Sequence, residues 1–303
     1  MAVGVVDSQQ HVQYEGMESS TGLSEEKLVA DLGRELEEAK LARPDVVAAG
    51  LGIPATIDHE RGVAIQAVNL EISDVPLRDE MRKRLGLPVF LDNDANVAAL
   101  AEFLFGAGRG ARNVVMLTIG TGIGGGLILD GEIYRGSTGA GAELGHIVVQ
   151  EDGPPCQGNC PNHGCVETLA SGTAIAREGT AAAEREPDSA LGKALAEGPL
   201  AGKTVTELAI KGDPLAVEVV AQAGRHLGVA LASLANIFDP DVIVIGGGVS
   251  AVGELMLKPA REELQSRALT PMNRTPVKLA ELGPDAGMIG AAAMALIELD
   301  KES

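Results

Sequence analysis

Val114-Val-Met-Leu-Thr-Ile119, then Gly120-Thr-Gly122, then Ile123-Gly-Gly-Gly-Leu-Ile-Leu129, then Asp130-Gly131: this run decides the fold. Gly120, Gly122 and Gly125 formally satisfy the G-x-G-x-x-G pattern, which in a dinucleotide-binding unit must lead from a strand into a helix. Here a second apolar, strand-like run follows, closed by an Asp-Gly hairpin signal before Glu132–Tyr134. The Rossmann reading therefore fails on context. What remains is a glycine-rich turn between two strands. Its bare backbone N–H groups, with the hydroxyls of Thr118 and Thr121, can cradle phosphate oxygens. The plainer alternative is a hairpin turn that binds nothing.

Outward from this run the chain reads as two α/β series. Toward the N-terminus, Val3–Val6 and His11–Tyr14 form a strand pair. Leu23–Leu41 has helical spacing at Leu28, Leu32, Leu36 and Ala39, with Ser24 as its cap. Val46–Ile53 is a strand-length apolar run, Val75–Leu85 a helix, Pro88–Leu91 a short buried strand, and Asn93–Phe105 a helix. Toward the C-terminus, Asp213-Pro214 opens the longest helix, and Asp241–Ile245 is a buried strand ending in Gly246-Gly247-Gly248. Ser250 is expected to cap the helix after it. Val277–Leu279 reads as a last strand and Ala286–Leu299 as a final helix. Strands alternating with helices point to α/β layers.

At 303 residues the chain can bury a sizeable core in two domains. Aromatic residues are only 2% of it, so that core must be built from Ala, Val, Leu and Ile. A formal charge of −19 disfavours phosphodiester backbones, so no nucleic-acid partner is expected. The sequence has no run of about 18 apolar residues and no signal pattern, so a membrane partner is not expected either. Three cysteines in one cluster suit a reducing cytoplasm.

Four further stretches could carry chemistry. Asp92-Asn93-Asp94 joins a buried strand to a helix. An Asp kept ionised by the helix dipole can accept a hydroxyl proton as that oxygen attacks phosphorus, although Asp and Asn are also the preferred helix caps. Gly246–Gly248 lies where a strand hands over to a helix, which serves equally for ligand approach or for close packing. Gly198–Thr204 is one residue short of a P-loop, and Thr204-Val-Thr-Glu207 reads as a capping box instead. The last stretch holds His146, Cys156, Cys160 and Cys165, a full Cys₃His set for tetrahedral Zn²⁺ in a loop-rich setting. Binding would fix Glu143 and Glu167 beside it, and two oriented carboxylates can hold vicinal hydroxyls of a sugar. His163, in the same loop, is read as solvated.

Asp-Asn-Asp-Ala-Asn at 92–96, Leu-Thr-Ile-Gly-Thr-Gly at 117–122, Glu143-x-Gly-His146 and Gly164-Cys-x-Glu167 recur in this order in the ROK family of sugar kinases and sugar-responsive repressors. The chain resembles that family over nearly its whole length, and its bacterial glucokinases most. The resemblance implies two actin-like (ribonuclease H-like) ATPase domains with a central interdomain cleft. Residues 1–107, completed by the C-terminal helix 287–303, would form one, and 108–286, with the zinc loop 143–167, the other. It further implies ATP with Mg²⁺, a structural Zn²⁺ on His146, Cys156, Cys160 and Cys165, and a homodimer or homotetramer.

In that picture Asp94 is the catalytic base. Asn93, Asp94, Glu143, His146 and Glu167 contact the hexose. Thr118, Gly120, Thr121, Gly122 and Gly124 hold phosphate, and Gly246, Gly247 and Gly248 meet adenosine. The implied reaction is glucose to glucose 6-phosphate, an entry to glycolysis. The alternatives are another hexose (mannose, fructose or an N-acetylated hexosamine) or a non-catalytic sugar-binding relative. A repressor is not expected, since its DNA-binding domain would precede Val3. Three departures stand out. The first two thiols are separated by x₃ where the family has a single residue. Gly52-Ile-Pro54-Ala55 replaces G-x-P-G and is expected to narrow the pocket. Met1–Val6 matches the family's second strand, so a preceding strand with a D-x-G-G-T turn is implied.

Overall fold

A computed structural model describes residues 2–7, 9, 11–17, 25–67, 72–158 and 160–302. The N-terminal series contains β1 (Ala2–Val6), β2 (Val12–Met17), α1 (Glu25–Ala42), β3 (Ala49–Ile53), β4 (Ala55–Asp58), β5 (Val63–Ala67), β6 (Ser73–Val75), α2 (Leu77–Leu85), β7 (Val89–Asn93) and α3 (Asp94–Phe105). The C-terminal series starts with β8 (Val114–Ile119), β9 (Ile123–Leu129) and β10 (Glu132–Ile133), followed by α4 (Val166–Ala170), α5 (Gly172–Arg185), α6 (Ala190–Glu197), α7 (Gly202–Ile210) and α8 (Pro214–Phe238). It ends with β11 (Val242–Gly246), α9 (Glu254–Arg267), β12 (Val277–Leu279) and α10 (Ala286–Glu302).

The expected elements are present, with corrections. The expected cap Ser24 lies outside the described residues. Residues 73–75 pair as a strand, so the helix starts at Leu77 rather than Val75. The antiparallel sheet β4-β5-β6 went unread from the sequence. Ser250 does not cap α9: it sits in a 3-10 turn, its hydroxyl donates to Gly247 O, and Gly253 holds the cap position. The Thr204 capping box also does not form, because α7 begins earlier, after Ala201.

Five strands form the C-terminal sheet in the order β10-β9-β8-β11-β12, with β8, β11 and β12 parallel. Val115, Leu117 and Ile119 of β8 face one core and Val114 and Met116 the other, while β11 divides its residues in the same way. Both faces are covered, which is why these strands read as unbroken apolar runs. Helix α8 is long and apolar enough to cross a membrane by length and composition, but its Val220, Leu227, Leu231 and Leu234 sit fully inside the first of these cores.

Helix α3 is the pivot of the molecule. It packs against β8 and β9 on one side and against α10 on the other, and α10 returns from the C-terminus to reach β1, β3 and β7 as well. Side chains would hold these elements apart. A Cβ on Gly290 would stand 1.8 Å from Val97 O, and one on Gly126 2.7 Å from Ala95 O.

The N-terminal strands do not make one sheet. Among the described residues β1 pairs with β2 alone, and β3 with β7 alone. Between β1 and β3 runs a cavity of about 550 Å³, walled by residues such as Val3, Val5, Leu28, Leu32 and Leu51.

Candidate active site

The site is built at the C-terminal ends of parallel strands, where open α/β sheets leave a crevice for ligands. Thr118, at the end of β8, is in register with Gly246, at the end of the neighbouring β11. The two glycine segments therefore lie side by side. In the N-terminal half the parallel pair β3-β7 ends with Ile53 opposite Asn93, immediately before Asp94.

Asn93 is the true cap of α3: its Oδ1 accepts from Ala95 N at 2.9 Å and Asn96 N at 3.4 Å. That leaves Asp94, the first helical residue, to face the cleft, with Oδ1 accepting from Ala95 N at 2.9 Å. Asp94 is open to solvent yet ringed by protein. Burial pushes its carboxyl above the ordinary range, against the lowering effect of the Ala95 N–H. The helix terminus acts here through its N–H groups, and desolvation outweighs them. Ala55, expected to narrow the pocket, is instead buried in the N-terminal core and meets the site through its carbonyl, which accepts Asn93 Nδ2 at 3.4 Å.

Across the cleft, Glu143 follows Ala142, a non-glycine residue at φ 67°, and Leu144 N donates back to Ala142 O at 2.7 Å. A tight turn with a left-handed residue stores strain, and here it projects Glu143. Burial raises the Glu143 carboxyl; His146 lowers it, while the carboxylates of Glu167 and Asp94 push it up. Asp94 and Glu167 are thus each brought within electrostatic reach of Glu143. Glu167 is fixed by its Oε2, which accepts from Ile123 N at 2.8 Å, directly beside the glycine turn.

His146 joins two environments. Its Nδ1 is 3.4 Å from Cys156 Sγ, and its Nε2 is 3.9 Å from Glu143 Oε2. The ligand atoms of His146, Cys156, Cys160 and Cys165 all lie within 4.8 Å of one another, with Cys160 and Cys165 Sγ 3.9 Å apart. Bonds of about 2.3 Å to sulfur and 2.05 Å to nitrogen give tetrahedral edges of about 3.8 Å (S–S) and 3.5 Å (N–S). The set therefore fits Zn²⁺, and Cys156 belongs to it despite the longer spacing to Cys160. His163 is not in the set; its Nδ1 is 3.2 Å from Gly153 O.

The glycine turn closes with Gly120 N donating to Gly122 O at 2.9 Å. Its carbonyls are occupied by the start of α5: Gly172 N donates to Gly120 O at 2.7 Å and Thr173 Oγ1 to Thr121 O at 2.7 Å. Sequence reasoning missed this support, for which only the Ser171-Gly-Thr cap pattern gave a hint. Gly120 and Gly248 have open space where a Cβ would be, whereas Gly247 (φ 85°) packs against the backbone of Ile119. Close packing thus explains Gly247, and room for a ligand remains at the other two.

The ROK family model matches residues 1–298. A glucokinase from Halalkalibacterium halodurans is 41% identical over 266 residues, spanning 86% of this chain and 80% of that protein. A ROK family glucokinase from Streptomyces griseus, solved in complex with glucose and AMPPNP, superposes with a TM-score of 0.86 at 38% identity, covering 98% of this chain and 96% of that one. A putative xylose repressor from Caldicellulosiruptor is 32% identical over 284 residues, 92% of this chain and 70% of that protein.

Proposed function

The chain belongs to the ROK family, with its two actin-like domains, and from that premise we propose that it is a hexose kinase that transfers phosphate from ATP to the primary hydroxyl of glucose. One observation carries the reading. Asp94 and the two glycine segments lie at the C-terminal ends of the parallel pairs β3-β7 and β8-β11, and Glu143, from its own turn, comes within electrostatic reach of both Asp94 and Glu167.

The chemistry follows from those groups. Asn93, Glu143, His146 and Glu167 hold the hexose by its hydroxyls; His146 donates through Nε2 while Nδ1 stays with the thiols. Asp94 accepts the proton of the attacking hydroxyl, the oxygen bonds to the γ-phosphorus, and ADP leaves with the electrons of the broken P–O bond. The Gly120–Gly124 turn, through the N–H groups it does not spend on itself and the Thr118 and Thr121 hydroxyls, cradles the phosphates, and Gly246–Gly248 border the adenosine. Mg²⁺ accompanies the nucleotide and neutralises phosphate charge. His146, Cys156, Cys160 and Cys165 would hold Zn²⁺, which would tie the sugar-facing loop in place.

A coupled assay of ADP release with glucose tests the proposal, beside calorimetric glucose binding. Asp94→Asn should lower kcat by roughly 10²- to 10⁴-fold, the usual worth of a general base, with the fold and metal content unchanged. Near-normal turnover by that variant would overturn the assignment. Glucose binding without any turnover by the unmodified protein would favour a non-catalytic sugar-binding relative.

A further inference from the structure

Asp92, two residues before Asp94, is completely buried and takes no part in the chemistry above. Its Oδ1 accepts from Asn93 N at 2.7 Å and Asn96 Nδ2 at 2.8 Å, and stands 3.5 Å from His59 Nε2. Its Oδ2 accepts from Arg135 Nε at 2.7 Å. Arg135 belongs to the other half of the molecule, just after β10, and its Nη2 also reaches Glu298 Oε1 of α10 at 3.7 Å. One guanidinium therefore joins the end of β7, the returning helix α10 and the C-terminal half across the cleft.

The segment that leaves Arg135 ends at Glu143. Gly141 N donates to Arg135 O at 2.9 Å, closing the segment on itself. Gly139, at φ 79°, lies so close to the β4-β5 hairpin that a Cβ would stand 2.0 Å from Ile57 O. The loop is thus held to the N-terminal half at Arg135 and at Gly139, and the strained Ala142 then projects Glu143. We propose that Arg135 is a positioning residue: by pairing with buried Asp92 it clamps the 135–143 loop onto the Asp92–Asp94 turn and so sets the separation of sugar-holding Glu143 from the base Asp94.

The geometry argues for position rather than cohesion alone. Asp92 Oδ1 is hydrogen-bonded to the backbone of Asn93 and to the side chain of Asn96, so a shift of the guanidinium is passed directly to the turn that carries Asp94. A lysine at 135 offers charge without the fixed planar fork and cannot hold Asp92 and Glu298 in the same register.

The inference rests on the hexose-kinase reading, and the test separates the two. Glucose phosphorylation is measured for the unmodified chain, Arg135→Lys, Arg135→Gln, Asp92→Asn and the Asp92→Asn/Arg135→Gln pair. Failure of the unmodified chain to phosphorylate glucose overturns the kinase reading and, with it, the clamp. If the unmodified chain is active, Arg135→Lys should lower kcat at least tenfold and raise KM for glucose, while KM for ATP changes less than threefold. The double variant should be no worse than Arg135→Gln alone. Millimolar guanidinium should restore part of the turnover of Arg135→Gln. A merely structural role would lower the melting temperature and leave both kinetic constants of the folded enzyme untouched. That result, or an equal loss for glucose and ATP, overturns the clamp. Should Arg135→Gln not fold, Arg135→Lys decides by the same constants.

Discussion

Gly122→Ala probes the join between the phosphate turn and the sugar wall. A Cβ built on Gly122 stands 2.4 Å from Glu167 Oε2, whereas ordinary contact begins near 3.4 Å. Glu167 must therefore withdraw by about 1 Å. The displaced oxygen is the one that accepts from Ile123 N at 2.8 Å, so this hydrogen bond stretches beyond useful range. The carboxylate can turn toward water, so the fold should be little affected. Its alignment for sugar hydroxyls is lost. A hydrogen bond to a charged group is worth about 1.5–3 kcal/mol, so glucose affinity should fall roughly 10- to 150-fold. Calorimetric titration with glucose reads this directly, and a thermal melt checks the fold. Gly120→Ala is the matched control: nothing lies within 4 Å of its Cβ, so glucose affinity should hold while nucleotide affinity declines. A glucose Kd for Gly122→Ala within threefold of the unmodified value would refute the placement of Glu167 in the sugar wall.

Asp94 and Glu143 both carry raised carboxyl pKa values, so kcat/KM should fall with decreasing pH through an acid limb above the ordinary Asp value of about 3.9; a limb at or below it would contradict the burial argument. The sign for stability is opposite. A raised pKa costs stability once the group is ionised, so Asp94→Asn should be at least as stable as the parent at pH 7 and lose that advantage below about pH 4, as urea unfolding at both pH values would report. Chelating the metal, or Cys165→Ser, should raise the glucose Kd roughly tenfold or more before any loss of helical signal; folded, metal-free protein with unchanged affinity would detach the zinc set from the sugar site. Gly290→Ala should cost about 1–3 kcal/mol or more, because backbone must move at Val97 O, whereas Gly287→Ala, facing open space on the same helix, should be neutral or stabilising by chemical denaturation.

Features legible in the sequence are those whose cause is local. Asp213 caps α8 through Ala216 N at 2.8 Å, and Asp130 and Gly131 both take the left-handed conformation of their hairpin turn, each written in a few adjacent residues. The cysteine loop was legible because soft ligands at short spacing have few other uses. The β4-β5-β6 sheet was not legible. Its strands have three to five residues, and a register shift at Thr56/Ile57 breaks the alternation that would announce them. Ser250 and Thr204 carry good cap chemistry but stand one turn from where tertiary packing starts each helix. Arg135 left no trace at all, because its partner lies 43 residues away and an isolated arginine has no periodicity. Gly290 of α10 and Gly126 of β9 likewise answer to a crossing with α3 that no window of sequence contains.

Asp94 sits in a cleft whose electrostatics differ from those of a bare helix terminus. A helix terminus is worth about 0.3–1 kcal/mol to an exposed anion, and that alone would have made Asp94 a weaker base. The cleft reverses the sign: desolvation comes first, the backbone N–H groups of Ala95 and of Asp94 itself oppose it, and Asp94 in turn presses the Glu143 carboxyl upward. In the proposed role, a carboxylate with a raised pKa accepts a hydroxyl proton more readily. A bound hexose that expels water from the same space would raise it further. The capping duty that would have spent the carboxylate on backbone N–H groups is taken by Asn93, whose side chain satisfies both Ala95 and Asn96. Asn93→Ala should therefore do more than weaken the helix. With the cap gone, Asp94 is drawn to the vacated N–H groups, and turnover should fall further than the stability loss of about 0.5–2 kcal/mol accounts for.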